Sequence, residues 1–242
     1  MLSIVIPAYN EEKRIDRTLR ELTNSFKDAE IIVVFEGNDN TPAVVKKYPV
    51  VLEVNKKRLG KGGSIKRGIE LARREKVLII DADLPIPPEK LKEIASLNAD
   101  LLVPCRVIIG MPFKRKFLHK SFKALVKLFF PSLREFRDFQ AGVKLVNREK
   151  ALQILDELVI NDLLFDVNLI YAFKRRGFSV KEVVVEYIHD ETDSKVSKKL
   201  LKVVLLMFLS LIKLRVYYSP FRWIIFTKTY LKIQNWILER LR

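Results

Sequence analysis

Val77-Leu78-Ile79-Ile80-Asp81-Ala82-Asp83 is a run of four apolar residues followed by two carboxylates at i and i+2. An uninterrupted apolar run reads as a strand buried on both faces, the pattern of a parallel sheet. Residues two apart on an extended chain face the same side. Asp81 and Asp83 are therefore expected to converge on one spot at the carboxyl end of that strand, where open α/β sheets bind ligands. Two hard oxygen donors suit Mg²⁺ or Mn²⁺, with the remaining positions left to water and a diphosphate. Two solvated acids at a polar strand end are the plainer alternative.

The surrounding sequence alternates strand and helix. Strands are expected at 2–7, 30–35, 50–54, 76–80 and 100–103, and helices near 11–25, 41–48, 62–75 and 88–97. Asn10 is a candidate cap for the first helix, and Pro87-Pro88 suits the opening of the fourth. Such alternation predicts an α/β fold, a mostly parallel sheet flanked by helices. A basic amphipathic segment follows at 113–130, then a strand at 141–146, helices near 148–157 and 163–176, and a strand at 179–187.

Charge is unevenly distributed over the 242 residues. Of the formal +16, residues 113–137 carry +7 and residues 198–242 carry +9, so the rest of the chain is neutral. The first basic segment is rich in Leu and Phe and the second in Leu, Ile, Phe and Trp, which favours an anionic membrane surface over nucleic acid. The stretch Val203 to Ile212 is too short for a spanning helix, which needs roughly 20 apolar residues. Trp223, Phe226, Tyr230 and Trp236, among Lys228, Lys232, Arg240 and Arg242, have the composition of a water–lipid interface. The expected division is 1–197 as the main domain and 198–242 as basic amphipathic helices at a membrane surface, a peripheral or monotopic attachment. Packing of those helices on their own domain or on a second copy, a homo-oligomer, is the alternative. The single cysteine, Cys105, excludes an intramolecular disulfide, fits a reducing compartment and reads as a small core residue. The apolar start covers only Leu2 to Ala8, so no signal peptide is expected.

Other segments join the carboxylate pair. Ile6-Pro7-Ala8-Tyr9-Asn10-Glu11-Glu12 leads from a strand into a helix, and Glu30 to Gly37 is a strand ending in an acid and a glycine. Gly60-Lys61-Gly62-Gly63 enters a helix. Such a loop can bring backbone N–H groups to a phosphate at the helix N-terminus, with Lys61 and Gly62 as candidate contacts, or it is a plain turn. Asp138 to Val146 (DFQAGVKLV) and Phe165 to Tyr171 (FDVNLIY) follow, then Ser194-Lys195-Val196. In this order, over about residues 2–197, these motifs resemble family 2 glycosyltransferases of the GT-A fold, in particular the dolichyl-phosphate glucose and dolichol-phosphate mannose synthases.

The resemblance implies roles. Pro7, Tyr9 and Glu11 match the edge that holds base and ribose, and Glu36 matches an acid on the base. Asp81 and Asp83 match the metal- and diphosphate-binding pair. Arg106 matches an arginine near the transferred sugar or acceptor phosphate, and Asp138 and Gln140 match the sugar-contacting segment. Asp166 matches the acid beneath the acceptor, and Ser194 and Lys195 a phosphate-gripping pair. Phe35 and Glu36 stand where the family usually has Asp-Asp, which leaves uracil and guanine both open. Pro85 replaces a Gln that helps bind metal in mannose synthases.

The activity so implied is inverting, metal-dependent transfer of a hexose from UDP- or GDP-hexose to a polyprenyl or dolichyl phosphate. It would take place at the cytoplasmic face of the cell membrane, with the segment 113–130 guiding the lipid. An ionised phosphate acceptor needs no strong base, so Asp166 would orient while Arg106 and Lys195 offset repulsion between acceptor and donor phosphates. A saccharide or lipid hydroxyl acceptor, with Asp166 as a true base, is the rival. A non-catalytic basic protein binding membrane or nucleic acid is the alternative of another class, disfavoured by paired carboxylates that repel phosphate without a metal.

Overall fold

The computed structural model describes residues 1–109, 113–188 and 200–241; Ser194, Lys195 and His189 lie outside them. Among these residues the strands are β1 (Leu2–Tyr9), β2 (Glu30–Glu36), β3 (Val51–Val54), β4 (Lys76–Ile80), β5 (Leu101–Ile109), β6 (Val143–Asn147) and β7 (Val180–Ile188). The helices are α1 (Ile15–Ser25), α2 (Thr41–Val45), α3 (Gly60–Leu71), α4 (Pro88–Ser96), α5 (Phe113–Phe129), α6 (Arg148–Gln153), α7 (Phe165–Arg175), α8 (Leu200–Tyr217) and α9 (Lys228–Leu241). The strands form one sheet in the order β3-β2-β1-β4-β6-β5-β7.

The α/β expectation holds, because each apolar run is too hydrophobic to leave either face in water. Ile4, Ile6, Leu78 and Ile80 pack with Ile15, Leu19 and Leu22 of α1 and Leu91 and Ile94 of α4 in one cluster. Cys105 is a free, buried thiol in β5, as its small-core reading expects.

Register explains where the site forms. β1, β2, β3 and β4 are parallel, with Tyr9 opposite Glu36 and Phe35 opposite Val54. Their carboxyl ends therefore share one edge. β6 departs from the parallel pattern: it runs antiparallel to both β4 and β5, with Val143 opposite Ile80. Its amino end consequently meets the carboxyl end of β4, bringing residues 138–142 to that same edge.

Local expectations need two corrections. Asn10 does not cap α1; it has φ 52°, and its Oδ1 accepts from the N–H groups of Asn38 and Asp39. A turn at 11–14 intervenes, so Asn10 ties the loop after β1 to the loop after β2. Helix α3 begins at Gly60 and ends at Leu71, because Ala72 turns extended. Pro87-Pro88 does open α4.

The chain divides into two compact units, 1–109 with 136–187, and 110–135 with 188–242. The second unit thus takes in the basic segment expected with the main domain. Within it the ring of Phe129 on α5 meets Phe208 on α8 edge-on at 6.5 Å. Val126, Phe130, Leu133, Leu211, Leu214 and Ile225 are buried. Leu128, Phe221, Trp223, Phe226 and Trp236 are instead largely exposed. Among the described residues no helix is long and apolar enough to cross a membrane.

Candidate active site

Strand β4 ends at Ile80, so strand alternation does not align the two carboxylates. A tight turn does so instead. The Leu84 N–H donates to the Asp81 carbonyl at 3.1 Å, and Leu84 takes φ 49°, a strained conformation for a branched residue. Backbone strain of this kind concentrates at functional sites. The Asp81 N–H donates to the Gly142 carbonyl at 2.8 Å, so β6 holds the turn from the other side. A Cβ on Gly142 would lie 2.6 Å from Asp81 Oδ2. Gly142→Ala is therefore expected to push the carboxylate aside and cut transfer about 10–100-fold, since small misplacements at a reacting centre cost on this order. Thermal unfolding should change little. Wild-type kinetics in the variant would remove Gly142 from the site.

Two lysines meet these acids. Lys61 Nζ lies 2.8 Å from Asp81 Oδ1, 3.1 Å from Oδ2 and 3.8 Å from Asp166 Oδ2. Lys144 Nζ donates to Asp166 Oδ1 at 2.8 Å and to the Ala141 carbonyl at 2.6 Å. The groups form a line: Asp81, Lys61, Asp166, Lys144. Burial alone would depress the Lys61 ammonium, but Asp166 and Asp81 outweigh it and hold its pKa above the usual lysine value. At Lys144 burial wins, aided by the Lys61 charge, and its pKa is lowered. Both of its contacts nevertheless suit the ammonium, which donates to each. Asp83 is open to water on its outer side yet crowded by the turn. That crowding first, and the Asp81 charge next, push its carboxyl above the usual range, against a counter-pull from Arg14.

The glycine loop works differently from the phosphate cradle expected of it. Glu36 is only 4% exposed, and its carboxylate accepts from the Leu59 N–H at 2.5 Å and the Gly60 N–H at 3.0 Å. An anion already occupies the N-terminus of α3, and it comes from the protein. The Gly62 N–H donates to the Asn161 carbonyl at 3.1 Å, and a Cβ on Gly62 would lie 2.4 Å from the Ile160 carbonyl oxygen. The reading of these amides as phosphate ligands is thus corrected: glycine is needed here for close packing against 160–161. Asn168 on α7 supports that segment, accepting from the Ile160 N–H and donating to the Glu157 carbonyl. Lys61 remains as the loop's cation toward the site.

The nucleotide edge is built from the loops after β1 and β2. Pro7 is half-buried in β1, and Tyr9 lies at the strand end with the Arg58 guanidinium 4.3 Å from its ring centre. Glu11 accepts from Arg14 at 2.6 Å, and its N–H donates to Thr41 Oγ1. Arg106 and Asp138 form a two-point pair, Nε to Oδ2 at 2.6 Å and Nη2 to Oδ1 at 3.1 Å. Asp138 is 2% exposed and also accepts from the Gln140 N–H. Its carboxylate orients Arg106 and Gln140; the expected direct sugar contact has no open carboxylate to rest on. From Gln140 the chain passes through Ala141, which holds Lys144, to Gly142, which abuts Asp81.

The structure thus joins Asp81, Asp83, Lys61 and Asp166, and sets Asp138 and Gln140 on the segment leading to them, with Arg106 of β5 paired to Asp138. Lys144, Arg14 and Arg58 were missed as site residues. Lys144 had one sequence signal, a lysine among the apolar residues Val143, Leu145 and Val146.

Among the described residues no three His, Cys, Asp or Glu side chains are grouped to hold a metal ion. The Asp81/Asp83 pair nevertheless fits a divalent cation, because the charge that Asp81 imposes on Asp83 is what a hard cation relieves.

A family model described as glycosyl transferase family 2 matches residues 3–155. Glycosyltransferase AglD of Haloferax volcanii is 30% identical over 216 residues, 81% of this chain and 34% of that protein, so the chain spans about a third of its length. Dolichyl-phosphate beta-glucosyltransferase of Mus musculus is 31% identical over 222 residues, covering 78% of this chain and 68% of that one. Glucosyl-3-phosphoglycerate synthase from Mycobacterium tuberculosis, crystallised with Mn²⁺, UDP and phosphoglyceric acid, has a TM-score of 0.72. It covers 91% of this chain and 80% of that one at 17% identity, a likeness of fold.

Proposed function

Because the chain belongs to glycosyltransferase family 2, we propose that it transfers a hexose, glucose in the first instance, from a nucleoside-diphosphate sugar to a polyprenyl phosphate. The observation that carries this reading is the Asp81/Asp83 turn with Lys61 beside it at the carboxyl edge of the sheet. Asp81 and Asp83 would hold Mg²⁺ or Mn²⁺, which neutralises charge on the departing diphosphate. Tyr9, Glu11 and Arg58 would bind the nucleoside, with Pro7 lining that edge. Arg106, oriented by Asp138, and Gln140 would face the sugar and the acceptor phosphate. Ser194 and Lys195 are proposed to grip that phosphate.

Asp166 favours a phosphate acceptor over a hydroxyl. Its Oδ1 bonds to Lys144 and its Oδ2 faces Lys61, so two ammonium groups take up the oxygens that an alcohol's proton would need. A phosphomonoester, whose second pKa is about 6, arrives largely ionised and needs no such base. Direct displacement inverts the anomeric centre. Asp166 then acts as an anchor for Lys61.

The composition of the second unit supports a reaction at a membrane surface, and the cytoplasmic face is part of the same proposal. Trp236 carries Arg240 at 4.1 Å over its ring, and Tyr217 carries Arg222 at 5.6 Å. Trp236 is exposed and Tyr217 half-buried, and rings paired with cations suit the boundary between anionic headgroups and acyl chains. The test incubates the protein with UDP- and GDP-hexoses, Mg²⁺ or Mn²⁺, and either polyprenyl phosphate or free polyprenol, with mass detection of lipid products. The expected product is a hexosyl polyprenyl phosphate that disappears with EDTA and returns with metal. Transfer to the free alcohol alone would replace this reading with the hydroxyl-acceptor rival.

A further inference from the structure

Lys61 stands where a cation on Asp81 would stand. Its Nζ reaches both oxygens of that carboxylate, at 2.8 and 3.1 Å, and Gly142 closes off the Oδ2 side. A second carboxylate waits 3.8 Å away: Asp166 Oδ2 faces Lys61, while Asp166 Oδ1 is fixed by Lys144. Asp166 is 3% exposed and Lys144 2%, so the rear of this line is rigidly packed. Lys61 rises from the first turn of α3, and its side chain is 21% exposed against 2% for Lys144, so of the two lysines it is the one with room to move. An ammonium and a divalent cation cannot both sit on Asp81 without strong repulsion in so dry a place.

We propose that Lys61 is a resident counter-ion that holds the metal's place on Asp81 and shifts toward Asp166 when a divalent cation binds. This rests on the metal-dependent reading above and extends it to the order of events. Without nucleotide, metal binding must break the Lys61–Asp81 pair with only Asp166 as compensation. With a diphosphate present, Lys61 gains a second anionic partner, so metal and nucleotide favour one another. Lys61 is thus the coupling element between two ligands rather than a phosphate contact alone, and Lys144 is the positioning residue that keeps Asp166 aimed at it.

The experiment measures Mn²⁺ binding to the full-length protein by electron paramagnetic resonance, with and without UDP or GDP. The variants are Lys61→Met and Lys61→Arg. Lys61→Met should bind Mn²⁺ alone about tenfold more tightly than wild type, while nucleotide should tighten Mn²⁺ binding less than it does in wild type; coupling between sites usually spans 5–150-fold. Lys61→Arg, which keeps the competing charge, should stay near wild type in Mn²⁺ binding without nucleotide. Unchanged or weaker binding of Mn²⁺ alone by folded Lys61→Met overturns the proposal while leaving the glycosyltransferase reading intact. Absence of Mn²⁺ binding to wild type, even with nucleotide, overturns both the proposal and the metal-dependent reading.

Discussion

Asp83→Ala is expected to lower kcat for transfer by roughly 10²–10⁴-fold, the equivalent of losing several kcal/mol of charge stabilisation on the departing diphosphate. Stability should be unaffected or slightly raised. Asp83 is exposed between the buried Ala82 and Leu84, packs nothing in the core, and bears a carboxylate whose protonation is favoured by crowding and by Asp81. Removing it ends a repulsion in the metal-free protein and takes one of two oxygen donors from the metal-loaded one. Circular dichroism and thermal unfolding would establish the fold, and steady-state kinetics over a Mn²⁺ titration would read the function. Raising Mn²⁺ should recover part of the activity, since Asp81 remains. Activity within tenfold of wild type at low metal, in a folded variant, would remove Asp83 from the metal site.

Lys144→Met should produce the largest loss of stability. The change strands the buried Asp166 carboxylate with Lys61 alone at 3.8 Å. Breaking a buried ion pair by removing one partner typically costs ~3–5 kcal/mol. For a chain of this size that corresponds to a fall of roughly 6–20 °C in the thermal midpoint. The double variant Lys144→Met/Asp166→Leu should regain much of that stability, because an apolar pair of similar volume needs no desolvated charge. It should not regain activity, because Lys61 then has no anchor behind it. A Lys144→Met protein as stable as wild type would show that the Lys144–Asp166 pair does not brace this core. An active double variant would show that Asp166 is dispensable to transfer.

The periodic parts of the fold were legible because they depend on neighbours in sequence. Apolar runs at 31–35 and 77–80 must be buried on both faces, and the segments between them carry one apolar face each. Alternation of the two leaves a parallel sheet covered by helices. The edge that carries Tyr9, Glu36 and Asp81 follows from that alternation, since parallel strands present their carboxyl ends together. That Asp81, Asp83, Lys61 and Asp166 come together was legible for the same reason: all sit where an element begins or ends.

What each side chain does at that edge was decided by contacts far apart in sequence. Glu36 reads as a ligand for a base until α3 arrives with two open amides that its carboxylate can reach. Asp138 reads as a sugar contact until Arg106 closes on it across 32 residues. Lys144 looks like a misplaced charge in a strand until Asp166 comes to meet it. The sequence alone determined the layers of the sheet, the edge where the strands' carboxyl ends meet and the residue types gathered there. These are set by hydrophobic periodicity and chain direction. Only the tertiary structure decided that β6 would run backwards against β4, that a turn would pair the carboxylates, and that Lys61 would lie between Asp81 and Asp166. Hydrogen bonds and ion pairs are short-ranged, so their partners are chosen only after the apolar layers have packed.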